Sequence, residues 1–462
     1  MDRRSFLFGT AAAGAALAAA PARADTVPAR IRLADLRGSF LEADSALRPG
    51  AVDDQSAVLQ AAIDRAVRDD RPLFLAPGRY QVSNITLPDG LTLVGVPGRT
   101  RLVYGGGGHL IEAVHARGVG LDGIVLDGAN RPLGDYATGL VQFTDVADVA
   151  LDEVEVIGSA RMGVTLERVS GRVSRCRLTG ARQAGLWSVD ATGLSIMDNT
   201  VSDCGDGGIL VHRWEAGEDG TIVTANRVER IGAKSGGTGQ NGNGINVFRA
   251  AGVIVTNNRV TDCAFSAIRS NAGSNVQITG NSCLRSGETA IYSEFGFEGA
   301  MVAHNVVDGA AIGVSIANFN EGGRLAVVTG NLIRNLRNGA PYPDEYGFNF
   351  GIGISVEADT AVTGNVIDGA PSVGILMGWG PYLRDVSATG NVIRKSRIGV
   401  AVSVVEGAGA SVITDNLMSE VAEGGVRGMR WAEAVTEDLA TGDMLASGLL
   451  APHLTVRGNR VG

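Results

Sequence analysis

Arg269 and Tyr292 stand 23 residues apart in this chain, and Asn271 and Glu294 repeat the interval. Both pairs fall in copies of a short phrase whose other versions read Gly-Ile-x-Val, as at Gly208–Val211, Gly244–Val247 and Gly353–Val356. If the copies are stacked strands, alternate residues face outward and line up in columns about 4.8 Å apart. The first column reads Leu210, Asn246, Arg269, Tyr292, Ser315, Ser355 and Leu376; the second reads His212, Phe248, Asn271, Glu294, Ala317, Glu357 and Gly378. Arg269, Tyr292, Glu294 and His212 are the expected catalytic groups. Arg269 would neutralise a uronate carboxylate and acidify the adjacent C5 proton, and Tyr292 or His212 would remove or return that proton. This is the chemistry of a polysaccharide lyase or C5-epimerase. Glycoside hydrolysis fits less well, because it needs two carboxylates about 5–10 Å apart, and Glu294 has no carboxylate partner on these columns in its own or an adjacent coil. Asn246, Asn271, Trp214, Phe248, Glu357 and Trp379 are expected to bind substrate, aromatic faces packing well on sugar rings.

The elements that would position these groups are written as a repeat. Asn199, Asn226, Asn258, Asn281, Asn305, Asn331, Asn365, Asn391, Asn416 and Asn459 close similar segments, spaced 27, 32, 23, 24, 26, 34, 26, 25 and 43 residues apart. Each segment alternates apolar and polar residues over four or five positions, the period of a half-buried strand, and 66 glycines punctuate the turns. A strand-and-turn repeat of this length predicts a right-handed parallel β-helix, with the asparagines stacked as an amide ladder. At least thirteen coils can be counted, from Gly120–Asp127 to Leu454–Val461. Longer insertions flank the Gly-Ile-x-Val strand: Ile231–Asn243 and Arg337–Phe350 before it, and Trp214–Gly220, Phe295–Gly299 and Asn318–Arg324 after it. Walls on both sides of an exposed polar strip predict a groove for an extended polymer.

The N-terminus reads as an export signal. Asp2-Arg3-Arg4-Ser5-Phe6-Leu7 precedes a mildly apolar Phe8–Ala20 and an Ala22-Arg23-Ala24 cleavage site. Paired arginines predict the twin-arginine route, a mature chain from Asp25, and a periplasmic or secreted location. Asp53–Ala66 is the one convincing helix, with Asp54 as expected N-cap and Val58, Leu59, Ala62 and Ile63 as its apolar stripe. A solenoid end needs such a cover, because bare strand edges invite further pairing. The expected organisation is thus a signal over 1–24, an N-terminal segment with capping helix over 25–105, and β-helix repeats over 106–462.

This combination of signal, capping helix, Pro72–Tyr80 segment and asparagine repeats resembles the twin-arginine-translocated repeat proteins, exported β-helix proteins of the pectin-lyase-like superfamily. That resemblance implies the fold and export but no settled activity, and a shared fold does not carry the chemistry of pectate lyases or epimerases with it. A non-catalytic glycan-binding or envelope-associated solenoid therefore stays open beside the enzyme.

The formal charge of −9 becomes −11 once Asp2, Arg3, Arg4 and Arg23 leave with the signal. Nucleic acid and anionic membranes are disfavoured as partners, no later segment is long and apolar enough to span a bilayer, and an extended polysaccharide is the expected ligand. Cys204 and Cys263 fall in one column two coils apart, beyond the reach of a disulfide, Cys283 falls two residues after its asparagine, and Cys176 takes a ladder position, so all four read as buried thiols. No His/Cys cluster has zinc spacing and no Walker loop occurs. Acidic turns suit Ca²⁺ but define no site, so no cofactor is expected.

Overall fold

The computed structural model describes residues 41–42, 46–237, 239–344, 347–441 and 453–462; the export signal expected in residues 1–24 lies outside them. The described chain winds as a parallel β-helix whose coils each supply a strand to three sheets of 16, 15 and 15 strands. Sheet 1 begins at Leu41–Glu42 and Leu73–Phe74, sheet 3 at Gly78–Val82 and sheet 2 at Ile85–Thr86, so the coils start well before Gly120. Each coil runs from sheet 1 to sheet 3 to sheet 2. Neighbouring coils pair in parallel throughout, except that Val426–Arg430 is closed by an antiparallel pairing with Glu433–Ala434.

The asparagine ladder holds the corner between sheets 1 and 3. From Asn199 to Asn459, each Nδ2 donates to the Oδ1 of the next asparagine at 2.8–3.0 Å, and that Oδ1 also accepts the preceding asparagine's backbone N–H at 2.9–3.1 Å. Cys176 takes the ladder's leading position, donating its backbone N–H to Asn199 Oδ1 at 2.8 Å. The residue before each ladder asparagine is left-handed, with φ between 55° and 67°. This explains the recurring Thr-Gly-Asn: Gly330, Gly364 and Gly390 adopt that conformation without strain, whereas Ala225 and His304 bear a steric cost there.

Inside the coils, stacked Val, Ile and Leu make one continuous apolar column. Helix α1 (Ser56–Arg68) covers its N-terminal end, burying Leu59, Ala62, Ile63 and Ala66 against the first coil. Its cap is Gln55, one residue later than expected: Gln55 Oε1 accepts the Arg48 backbone N–H at 2.7 Å, while Asp54 accepts the Ser56 N–H at 3.0 Å from outside the helix. At the other end, Asp438 accepts the N–H groups of Gly425 (2.7 Å) and Val426 (2.9 Å), satisfying donors that a further coil would otherwise take.

The four cysteines are free and buried. Cys263 pairs with Ile231 of the preceding coil, the intervening position expected in its column. Burial pushes the thiols of Cys176, Cys204 and Cys283 up to about 12, so they remain protonated and unreactive at neutral pH. Among the described residues no helix is long and apolar enough to cross a membrane.

Candidate functional site

The outward columns of sheet 2 form in the expected register. Leu210 pairs with Asn246, Asn246 with Arg269, Arg269 with Tyr292, and Tyr292 with Ser315; alongside, His212 pairs with Phe248, Phe248 with Asn271, and Asn271 with Glu294. These side chains point out of the coil but do not form an exposed strip. Asn246 is 7 % exposed, Arg269 8 % and Glu294 2 %. The insertions expected to wall a groove close over its centre instead. Gly239, in the 231–243 segment, accepts a hydrogen bond from Arg269 Nη1 at 2.7 Å, and Tyr342, in the 337–350 segment, reaches down to Glu288.

Beneath those segments lies a closed charge cluster. Arg269 Nε donates to Glu294 Oε1 at 2.6 Å, and Nη1 stands 3.8 Å from Glu288 Oε2. Asn271 Nδ2 donates to the same Glu294 oxygen at 3.0 Å, the Tyr342 hydroxyl donates to Glu288 Oε1 at 2.6 Å, and the guanidinium lies 5.1 Å from the centre of the Tyr292 ring. Arg269, Asn271, Tyr292 and Glu294 are thus brought together as the columns predict. Glu288 and Tyr342 are additional members. Glu288 sits at the corner leading into the strand rather than on either column, so a reading confined to the strand passes over it. Burial raises the Glu288 carboxyl above its ordinary value, opposed by Tyr342 and Arg269. Burial also raises the Tyr292 hydroxyl, with the nearby carboxylates adding to the shift, which makes it a poor base at neutral pH. Arg269 already faces two carboxylates and has little charge left for a third.

His212, Trp214 and Phe248 gather in a neighbouring aromatic cluster. Trp187 Nε1–H donates to His212 Nδ1 at 3.1 Å. Indole is only a donor, so Nδ1 must accept and the neutral ring carries its proton on Nε2. Burial pushes the imidazole down to about 4, keeping it neutral. Its Nε2 and the Oδ1 of Asn246 are buried with no hydrogen-bond partner among the described residues. The Trp187 ring meets Trp214 edge-on, with centres 6.0 Å apart. Trp214 itself is 57 % exposed and stands on a break in the pairing between His212 and Gly217. It is pinned there by its N–H to Asp190 Oδ1 (3.2 Å) and by Arg249 Nη1 donating to its carbonyl (2.7 Å). Trp214 lines an open cleft of about 680 Å³ whose charged walls are Asp145, Arg168, Asp190, Arg213 and Glu215.

Two expected binding residues lie elsewhere. Glu357 accepts the backbone N–H of Phe319 at 2.7 Å and so anchors the turn at Phe319–Glu321. Trp379 stacks on Phe348 at 6.4 Å and meets Trp431 edge-on, part of an apolar cluster that seals the C-terminal stretch of the same face with Ile352, Leu376, Ile398 and Met429. Hydrogen bonding and packing, respectively, already occupy these side chains.

A model of the right-handed β-helix region matches residues 162–333 and 217–427. The chain belongs to the right-handed β-helix family. Among solved structures, the pre-mature bacteriophage phi29 gene product 12 superposes with a TM-score of 0.52 at 14 % identity, over 83 % of this chain and 54 % of that one. This chain therefore spans about half of that protein's length. PfbA, a surface adhesin of Streptococcus pneumoniae, aligns at a TM-score of 0.44 and 11 % identity, over 86 % of this chain and 95 % of its own. The catalytic unit of a GH87 α-1,3-glucanase from Streptomyces thermodiastaticus aligns at 0.44 and 12 % identity, over 92 % and 69 %. At such identities the likeness is one of fold alone. No curated protein matches the chain.

Proposed function

We propose that this β-helix engages an extended polysaccharide along the outer face of sheet 2, with the Trp214 cleft as the primary grip. The observation that carries this reading is the Trp214 platform. A large aromatic face is held in the open by Trp187, Asp190 and Arg249, beside the carboxylates of Asp145, Asp190 and Glu215. Aromatic faces take the C–H faces of sugar rings, while fixed donors and acceptors take hydroxyls. Replacing Trp214 by alanine is expected to weaken retention on polysaccharide gels roughly tenfold, the equivalent of about 1.4 kcal/mol. Unchanged retention would remove the platform from the proposal.

The expected lyase or epimerase is the finer form of this reading, and it requires Arg269 to exchange its two carboxylates for that of the substrate. The shared guanidinium favours a second reading, hydrolysis. Glu288 and Glu294 both reach Arg269, and the raised Glu288 carboxyl suits a proton donor, with Glu294 as the base that activates water. A polymer reaches that pair only when the Gly239 and Tyr342 contacts over it open. Hydrolysis would release new reducing ends, abolished in Glu288→Gln; elimination would release unsaturated ends absorbing in the ultraviolet. Binding without either product supports the non-catalytic solenoid.

Membership of the twin-arginine-translocated repeat family and export to the periplasm or beyond belong to the same proposal. Changing Arg3 and Arg4 together to lysine is expected to keep the full chain in the cytoplasm; export unaltered by cell fractionation would count against that route.

A further inference from the structure

We infer that the polysaccharide engaged by this face is neutral rather than a polyuronate, which closes elimination and C5 epimerisation to it. This inference rests on the glycan reading above and concerns the charge of the same site. The Trp214 cleft is walled by three carboxylates (Asp145, Asp190, Glu215) and two arginines. Neither arginine is spare. Arg168 donates Nε and Nη2 to the two oxygens of Asp145, at 2.5 and 2.9 Å, and also bonds Glu167. Arg213 stands 3.9 Å from both Asp190 and Asp219. The lining groups thus leave one carboxylate in excess, that of Glu215, and Glu167 beside Arg168 adds a second. Further along the face, Arg269 is already engaged by Glu294 at 2.6 Å and stands 3.8 Å from Glu288. Arg249 is the nearest cation without a carboxylate partner among the described residues, and it is engaged with the Trp214 carbonyl and the Phe248 ring at 4.9 Å. His212, neutral in its aromatic cluster, adds no positive charge.

A polyuronate brings one carboxylate per ring, and successive rings would lie within the Debye length, about 8 Å at physiological salt, of these uncompensated acids. Each ring would need a cation, and the site offers arginines already matched. A neutral glycan brings only hydroxyls, which can donate to the carboxylates of the cleft while Trp214 takes a ring face. Elimination and epimerisation both start by removing a proton acidified by the adjacent uronate carboxylate. A neutral ring has no such proton, so its cleavage on this face is restricted to hydrolysis.

Affinity electrophoresis of the full chain against dextran, mannan, xylan and a β-1,3-glucan, and against polygalacturonate and alginate, tests this at low salt and at 150 mM. The expected result is retardation by at least one neutral polymer, at least tenfold weaker in Trp214→Ala, with no retardation by either polyuronate. Thermal melting of that variant should be unchanged, since the side chain is exposed. Glu215→Lys, which removes one acid and adds a cation at the cleft, is expected to gain retardation by polygalacturonate. Retardation by polyuronates alone would overturn the charge inference and leave the glycan reading standing, whereas retardation by no polymer would overturn both.

Discussion

Replacing Arg269 by alanine is expected to destabilise the protein by about 3–5 kcal/mol, the usual cost of leaving a buried ion pair with one partner missing. Glu294 and Glu288 are 2 % and 3 % exposed, and the guanidinium is the cation they share. Without it the charged form of each carboxyl is left uncompensated in a poorly solvated site, and protonation in the folded state becomes favoured. A raised carboxyl pKa adds stability below the unfolded value and loses it as pH climbs through the folded one. The deficit of the variant should therefore be smallest near pH ~4, where the unfolded carboxyls themselves protonate, and grow as pH climbs. Loss of the Gly239 contact should also loosen the covering residues 239–243, visible as faster amide exchange there. The triple variant Arg269→Met, Glu288→Gln, Glu294→Gln should recover most of the melting temperature. A single variant with unchanged melting at neutral pH would show that the cluster is not held as described.

Asn331→Ala is expected to cost about 3 kcal/mol. Asn331 is 1 % exposed and its side chain makes four hydrogen bonds: Nδ2 donates to Val302 O (3.0 Å) and Asn365 Oδ1 (2.9 Å), and Oδ1 accepts the backbone N–H and Nδ2 of Asn305 (2.9 and 3.0 Å). Truncation orphans the Asn305 N–H and the Val302 carbonyl in the interior, and each buried orphan costs about 1–3 kcal/mol. The last member, Asn459, is partly exposed, so water replaces some of what its truncation removes. Asn459→Ala should cost less than half as much. Equal losses at the two positions, read from denaturant midpoints, would mean that the ladder is not the source of the effect.

The repeat made the coil legible. The ladder asparagines, the alternating strands and the residue-by-residue register of both outward columns follow from a spacing that each coil states again. What lay over those columns was not legible, because a loop's path depends on single contacts that no periodicity announces. Gly239 lends Arg269 a carbonyl and Tyr342 reaches Glu288, and these two bonds turn an expected open strip into a buried cluster. Glu288 escaped because it belongs to the corner column, whose other members include Asp206, Gly242 and Phe265, joined by backbone bonds from coil to coil. Following that column as well as the strand would have placed a second carboxylate beside Glu294. Trp214 was recognised as an aromatic at the groove, but the cleft beside it is made by the turn column of Asp145, Arg168, Asp190 and Arg213, whose charges pair along the axis and leave the carboxylate of Glu215 in excess.

The most direct test of glycan engagement is a crystal structure of the protein with the neutral oligosaccharide that binds most tightly in the polymer panel. The expected result is a sugar ring stacked on Trp214, hydroxyls within hydrogen-bond distance of the acids of the cleft, and a chain running along the outer face of sheet 2. An oligosaccharide bound on sheet 1 or sheet 3, with the Trp214 cleft empty, would contradict it.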